Sequence, residues 1–159
     1  MLKQYGYVWF LLASVIFGVD RLTKQWALSL PHGDSVPVLS SYLTWYLSFN
    51  EGVAFGMGQN LGAWGWVIPF GSLLLTVVVG VWTFSTPYRV WPQGVALACV
   101  LGGALGNLWD RLTVGVVIDF VDMGVQSWRF ATFNVADMAI SLGVMGLLIP
   151  QYWKKKSTV

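Results

Sequence analysis

Four long stretches of apolar residues dominate the chain and predict four helices. Each stretch comes near the roughly 20 residues that an α-helix needs to cross about 30 Å of hydrocarbon. The predicted spans cover about 5–28, 61–84, 90–108 and 135–153. The first could be mistaken for a cleavable signal peptide, but no small-x-small cleavage site follows its apolar part, so we predict that it is retained. The pattern favours an all-α integral membrane protein in which residues 1–159 form a single polytopic domain.

The connection between the first two spans has a different periodicity. Large apolar side chains alternate with Thr, Tyr and Ser over residues 43–49, which is typical of a half-buried strand. Residues 50–52 (Asn-Glu-Gly) then predict a turn. The β-branched and aromatic residues at 114–121 and 127–133 favour further strands. We therefore predict a small β-sheet on the outer membrane surface, with its apolar face toward lipid or substrate.

Lysine and arginine residues near the span ends orient the predicted helices. The charges that fall on one side of the membrane are Lys3, Arg89 and the lysines at 154–156. The connection 29–60 contains neither lysine nor arginine, although Arg111 and Arg129 fall on its side. On balance the positive-inside rule places both termini and the short middle loop in the cytoplasm. The connections 29–60 and 109–134 are then predicted to face outward.

Composition supports a bilayer environment. Only 10% of the residues are charged, whereas soluble globular chains carry about 25%, and the mean hydropathy is +0.64. The ten tryptophans suit this interpretation, because indole rings favour the headgroup region. A net charge of +2 is too small to indicate a nucleic-acid partner.

Single cysteine and histidine residues narrow the possible chemistry. Cys99 is the only cysteine, so the chain has no internal disulfide and no thiolate metal cluster, and we interpret this residue as a small hydrophobe. His32 is the only histidine, whereas a metallopeptidase helix motif requires two. No serine has a nucleophile-like setting that would use His32 as its base. A pair of aspartates remains as the source of peptidase chemistry, and we predict neither a metal nor a cofactor.

The fourth span begins with polar residues that are costly to place in hydrocarbon. Asn134, Asp137 and Ser141 occur at i, i+3 and i+7, which puts them on one helical face. A charged side chain at the centre of a membrane helix costs about 2.5–3.5 kcal/mol and usually serves a function. Asn134 and Asp137 could instead cap the helix. For Asn134 both roles stay open, whereas for Asp137 we favour a functional role.

Two other spans carry polar residues near their predicted outer ends. Residues 102–106 (GGALG) contain a small-xxx-small pair that permits close helix packing. The polar residues that follow are Asn107, Asp110 and Arg111, of which the last two suit an interfacial pair that braces neighbouring loops. Asp20 and Lys24 are spaced for a local i,i+4 salt bridge. That pair could also orient other groups by hydrogen bonding.

Asp119 stands inside an apolar, strand-like run of the outer connection, where it could meet Asp137. Two carboxylates a few ångströms apart share one proton near neutral pH, because both cannot ionise cheaply. The ionised group can then activate water while the protonated group donates to a peptide carbonyl. The remaining alternatives are a proton-coupled carrier or a structural membrane subunit. The gathering of polar residues at one membrane face argues against the carrier.

Five short motifs follow one another between residues 20 and 140. They are DRLTK at 20–24, NEGVAF at 50–55, GGALGNLWDR at 102–111, VIDF at 117–120 and FNVAD at 133–137. Each motif is weak alone, but in this order, in a chain with four predicted spans and two outer connections, the set resembles the bacterial lipoprotein signal peptidase family, also called signal peptidase II. The resemblance covers nearly the whole chain.

The resemblance implies a role for ten residues. It implies that Asp119 and Asp137 form a catalytic dyad. The residues that it implies to line or brace the site are Asp20, Lys24, Asn50, Gly52, Asn107, Arg111, Asn134 and Ala136. The chain departs from the family pattern at Met138, where a smaller residue, often serine, is expected. Independently of the resemblance, the aromatic alternation at 45–49 and the turn at 50–56 are expected to form part of a roof or lid over the site.

The resemblance also implies a substrate, a location and an inhibitor class. Members of the family remove the signal peptide from prolipoproteins whose cysteine already carries diacylglycerol, and they cleave just before that cysteine. They are targets of the cyclic peptide antibiotic globomycin. We therefore expect an aspartic endopeptidase of the bacterial cytoplasmic membrane, in contact with membrane lipids and with its active site toward the outer face. We expect a monomer, since nothing in the motifs requires a partner subunit.

Overall fold

The computed structural model describes residues 6–40, 42–52, 66–87 and 90–156. The helices are α1 (Tyr7–Ala27), α2 (Val67–Ser85), α3 (Trp91–Thr113) and α4 (Val135–Lys156). The strands are β1 (Val36–Leu39), β2 (Leu43–Asn50), β3 (Val117–Val125) and β4 (Trp128–Arg129). A mostly helical chain with a small antiparallel sheet is thus confirmed. The predictions that lie outside the described residues concern Lys3, Arg89, the start of the second span at 61–65 and the lid segment from 53 onward.

Helix α3 continues past the predicted end at Leu108 to Thr113. The polar residues after Leu108 were interpreted as the start of a loop, but they occupy the last turns of the helix. The backbone N–H groups of Val114 and Gly115 both donate to the Asp110 carbonyl, at 2.8 and 3.1 Å. Gly115 has a φ of +87°, the left-handed conformation that commonly ends helices.

Two of the described helices, α2 and α3, are both long enough and apolar enough to cross a membrane. Helix α1 has a similar length but carries Asp20, Arg21 and Lys24 near its C-terminal end. Only Thr76, Val79 and Thr83 are buried in α2, so most of its apolar surface faces away from the protein. Exposed apolar surface of this extent is typical of contact with lipid. The count of four spans stays a prediction.

Helix α3 lies at the centre of the helical part and packs against α1, α2 and α4. Its glycines allow this close approach, as the small-xxx-small pattern predicted. A Cβ atom added at Gly103 would lie 2.4 Å from the carbonyl oxygen of Ala136 on α4. One added at Gly106 would lie 2.3 Å from Oδ2 of Asp20 on α1. The two helices that carry polar residues are thereby brought against the polar end of α3.

The packing at Gly106 predicts that a small substitution there lowers the stability of the protein substantially. Gly106→Ala is expected to lower the free energy of unfolding by about 1–3 kcal/mol, because the new methyl group overpacks the contact with Asp20. Thermal unfolding of the purified protein in detergent measures the change. Gly18→Ala in α1 is the matched control, since a Cβ there meets nothing within 4 Å and alanine is the better helix former. Equal stability of the two variants would contradict the packing argument.

The four strands form one antiparallel sheet in the order β1-β2-β3-β4. The strand predicted at 43–49 is confirmed as β2. Its burial does not alternate strictly, because the pairing with β3 shifts register between Trp45 and Ser48. An apolar cluster joins the sheet to the end of α1, and its buried members are Ala27, Leu47, Ile118, Phe120 and Val121. The sheet is therefore fixed over one end of the helices, where the polar residues gather.

Candidate active site

Asp119 lies on β3, opposite Ser48 of β2. The side-chain amide of Asn50, at the end of β2, donates to Asp119 Oδ2 at 3.1 Å. The amide of Asn134 donates to Asp119 Oδ1 at 2.7 Å. The residue is 2% exposed. Each of its two carboxyl oxygens is therefore bound by an asparagine contributed by a different element.

Asp137 lies in the first turn of α4 and exchanges hydrogen bonds with Asn134, the residue before the helix. The Asp137 backbone N–H donates to Asn134 Oδ1 at 2.9 Å, and the Asn134 backbone N–H donates to Asp137 Oδ2 at 3.2 Å. This reciprocal arrangement caps the helix. Asn107 Nδ2 also donates to Asp137 Oδ1 at 2.8 Å. The cap therefore fixes the position of Asp137, and the Asp137 carboxylate still accepts the hydrogen bond from Asn107.

Asn134 connects the two aspartates. Its side-chain nitrogen bonds Asp119, and its side-chain oxygen bonds the Asp137 backbone. The same nitrogen lies 3.2 Å from both Asn107 Oδ1 and the Ile118 carbonyl oxygen. The same side chain thus caps α4 and binds Asp119.

The charge state of Asp119 is shifted by its surroundings. Burial, followed by the negative charge of Asp137, raises the pKa of Asp119 to about 7. Hydrogen bonds from Asn50 and Asn134 oppose this rise, because they favour the ionised form. At neutral pH a large fraction of Asp119 therefore holds a proton.

Lys24 is a buried cation that is connected to Asp137 through Asn107. Its ammonium lies 3.0 Å from Asp20 Oδ2 and 2.8 Å from Asp110 Oδ2. It also donates to Asn107 Oδ1 at 2.9 Å, and its side chain is 0% exposed. The predicted local salt bridge between Asp20 and Lys24 is confirmed. Lys24 also donates to Asn107, which in turn donates to Asp137, so the hydrogen bonding to other groups that the sequence allowed is present.

The acidic partners of Lys24 reach two other elements. Asp20 Oδ1 accepts a hydrogen bond from the backbone N–H of Ala136 at 3.0 Å, beside Asp137. Asp110 binds Arg21 and accepts from the Ile118 backbone N–H at 3.2 Å, at the start of β3. From the sequence, Asp110 and Arg111 were predicted to form an interfacial pair, and Arg21 was given no role. In the structure the cations at Asp110 are Arg21 and Lys24, while Arg111 binds backbone carbonyls. In the sequence, Asp110 was noted as part of the GGALGNLWDR motif at 102–111.

Arg111 links the end of α3 to the turn after β2. Its guanidinium donates to the Gly52 carbonyl at 3.0 Å and contacts the Asn107 carbonyl at 3.4 Å. The Gly52 backbone N–H donates to Asn50 Oδ1 at 2.9 Å, which fixes the Asn50 amide that binds Asp119. The eight residues implied to line or brace the aspartates therefore all lie within this network or beside it.

Asp122, the next acidic residue of β3, is engaged elsewhere. Arg129 Nε donates to Asp122 Oδ1 at 3.1 Å, and the Thr44 hydroxyl donates to Oδ2 at 2.9 Å. Among the described residues, no cluster of three His, Cys, Asp or Glu side chains is placed to hold a metal ion.

A cleft of about 680 Å³ extends from these polar residues between α2 and α4. Its polar end is lined by Asn50, Asn107, Arg111 and Asp137. Its apolar walls include Leu75, Leu142 and Met145, which line the cleft although they are 59%, 61% and 51% exposed. Met138, the departure from the family pattern, also lines it. Asp137 thus stands at the polar end of an apolar groove that is open along its side, and Asp119 lies buried behind it.

Comparisons with known proteins agree with the motifs. A family model described as Signal peptidase (SPase) II matches residues 12–153. A lipoprotein signal peptidase of Hydrogenovibrio crunogenus is 40% identical over 146 residues, which cover 91% of this chain and 84% of that protein. One of Xylella fastidiosa strain M12 is 37% identical over 142 residues, covering 88% and 85%.

Two solved structures are similar over nearly the whole chain, and both are described as bacterial membrane enzymes studied by the in meso method. The structure at 2.3 Å resolution has a TM-score of 0.80 and 27% identity, and the match covers 100% of this chain and 96% of that one. The structure at 1.9 Å has a TM-score of 0.76 and 28% identity, with 95% and 97% covered.

Proposed function

The chain belongs to the signal peptidase II family, and we propose that it is a membrane-embedded aspartic endopeptidase with Asp119 and Asp137 as its catalytic pair. The substrate is a prolipoprotein whose cysteine carries a diacylglyceryl group, and the bond cleaved is the one just before that cysteine. One observation carries the proposal: Asn134 donates hydrogen bonds to the carboxylates of both Asp119 and Asp137, and Asp137 lines the polar end of an apolar cleft.

The mechanism assigns opposite protonation states to the two aspartates. The Asp137 carboxylate removes a proton from water as the water oxygen attacks the scissile carbonyl carbon, and Asp119 donates its proton to the carbonyl oxygen. The proton held by Asp137 then passes to the leaving nitrogen as the C–N bond breaks. Asp119 regains its proton as the C=O bond re-forms. Asn107 and Asn134 position the two acids throughout.

The membrane placement is also part of the proposal. The chain forms one polytopic domain with four spans, both termini in the cytoplasm and the sheet at the outer face of the cytoplasmic membrane. The lipid-facing surface of α2 supports this placement. A monomer is sufficient, because one chain supplies every group in the mechanism. Globomycin-type inhibitors are expected to occupy the same cleft.

A carrier function is disfavoured by the pairing of the charged groups. Lys24 is bound by Asp20 and Asp110 at one end of the helices. A proton relay across the membrane requires ionisable groups in succession along the pathway. In the described part of α2, which forms one wall of the cleft, the sequence contains no charged residue.

Cleavage of a defined substrate tests the proposed function directly. Purified protein is incubated with a diacylglyceryl-modified prolipoprotein and with the same polypeptide lacking the lipid, and the products are identified by mass spectrometry. We expect a product that begins at the lipidated cysteine, formed from the modified substrate only. Absence of cleavage, or equal cleavage of the unmodified polypeptide, would overturn the proposal.

The pH dependence of cleavage reports the proton on Asp119. We expect kcat/KM to fall as the pH rises through about 7, because Asp119 then loses the proton that it donates. The sign follows from the raised pKa: the protonated, active form predominates below that pH and is depleted above it. In Asn50→Ala the midpoint is expected to move upward, since the Asn50 hydrogen bond lowers the pKa of Asp119. Activity that increases through this range would contradict the assignment.

A further inference from the structure

One hydroxyl in the helices differs from all the others. Every other serine and threonine within the described helices donates to the backbone carbonyl four residues before it, the usual way in which a helix satisfies such a group. These residues are Ser14, Thr23, Ser72, Thr76, Thr83, Ser85 and Thr113. In the part of the chain that the structure describes, the Ser141 hydroxyl has no hydrogen bond. It is therefore available as a donor.

Ser141 lies on the cleft wall, one helical turn beyond Asp137. The i,i+4 spacing puts the two residues on the same face of α4, about 6 Å apart along the helix axis. Ser72 and Thr76 line the cleft from α2, but their hydroxyl hydrogens are already donated to backbone carbonyls at 2.9 and 2.7 Å. Among these three hydroxyls, Ser141 alone offers a hydrogen to a bound molecule.

We propose that Ser141 binds an ester carbonyl of the substrate's diacylglyceryl group, an inference that rests on the proposed function. When the scissile carbonyl lies beside Asp137, the modified cysteine is the next residue. Its glycerol esters are attached through the sulfur by a short chain of single bonds, which brings them within reach one turn along α4. The ester oxygens are polar acceptors that enter an apolar groove, and leaving them without a donor there is costly.

Ser141 would thus distinguish ester-linked lipid from other apolar modifications. The contact is expected to act on binding and not on the chemical step, because the hydroxyl meets the lipid and not the reacting bond. Loss of one hydrogen bond to a neutral acceptor corresponds to about a fivefold change in KM. The structure therefore assigns Ser141 as a specificity-determining residue for the lipid.

Two substrates that differ only in the lipid linkage test this assignment. One carries the ester-linked diacylglyceryl group, and the other carries ether-linked chains of the same length, which lack the carbonyl oxygens. We expect the wild-type KM to be about fivefold lower for the ester. In Ser141→Ala the two KM values should become equal, with kcat changed less than about twofold. Ser14→Ala is the matched control, because that helical serine donates to Phe10 on α1 and does not line the cleft.

The outcomes separate this inference from the proposed function. If the wild type cleaves both substrates with the same KM, or if Ser141→Ala keeps the wild-type preference, the hydroxyl does not bind the ester and the inference is wrong. If the wild type cleaves neither substrate, the proposed function itself fails. A preference for the ester that is lost in Ser141→Ala and kept in Ser14→Ala establishes the contact.

Discussion

Replacing Asp119 or Asp137 with asparagine is expected to lower kcat by about 10³-fold, within the range that general acid–base catalysis contributes. Asparagine has nearly the size of aspartate, but it can neither accept the proton of the attacking water nor deliver one to the carbonyl oxygen. The two variants should lose activity to a similar extent, because the acids act as a unit. Cleavage of the lipidated substrate at saturating concentration measures the loss.

Asp34→Asn provides the matched control for charge removal, since Asp34 is an exposed residue of the connection between α1 and β1. Thermal unfolding must accompany the kinetics. The Asn50 and Asn134 amides both donate to Asp119, and an amide at that position offers only one oxygen to receive them. A folded variant at either position that retains more than about a tenth of wild-type kcat would remove that aspartate from the catalytic pair.

Replacing Lys24 with methionine is expected to lower the free energy of unfolding by about 3–5 kcal/mol, the usual cost of breaking a buried ion pair by removing one partner. Asp20 would lose its cation while fully buried, whereas Asp110 would keep Arg21. Asn107 would also lose the ammonium that orients it, so that cleavage is expected to weaken even where the variant folds. Chemical unfolding in detergent, followed by kinetics at a permissive temperature, measures both effects.

The double variant Asp20→Asn/Lys24→Met separates lost charge balance from lost packing. It removes the carboxylate and the ammonium together, and the asparagine oxygen can still accept the Ala136 N–H that Asp20 binds. We expect the double variant to be more stable than Lys24→Met alone, with a coupling of about 0.5–3 kcal/mol between neighbouring sites. Additive losses would show that the ion pair contributes nothing beyond the volume of its side chains.

Local patterns in the sequence were sufficient for the helices and for β2 but not for the whole sheet. Strand β1 was not predicted, and the strands predicted at 114–121 and 127–133 are observed at Val117–Val125 and Trp128–Arg129. Apolar stretches predicted all four helices, and alternation predicted β2. The end of α3 was placed too early, because hydropathy falls at Asn107 and Asp110 although the backbone stays helical to Thr113. The sequence periodicity that identifies an apolar face cannot show how far a helix continues once its side chains become polar.

The contacts within the site depend on chain folding that no local pattern contains. The Ala136 N–H donates to Asp20 across 116 residues of sequence, and Arg21 reaches Asp110 across 89. Such pairings follow from the packing of α1 and α4 on the glycines of α3, which the sequence indicates only as a tendency to approach closely. For that reason Asp20 and Lys24 were recognisable as a local pair but their links to Ala136 and Asn107 were not.

The open side of the cleft determines which measure of substrate concentration governs the rate. Leu75, Leu142 and Met145 line the groove and are exposed along its edge, so under the proposed function we expect a lipidated substrate to enter sideways from the surrounding acyl chains. Lipids or detergent molecules then compete for the same groove. The occupancy of the site is therefore governed by the mole fraction of substrate in the membrane or micelle and not by its bulk molarity. Diluting the substrate with lipid slows the reaction even when the volume of the solution is unchanged.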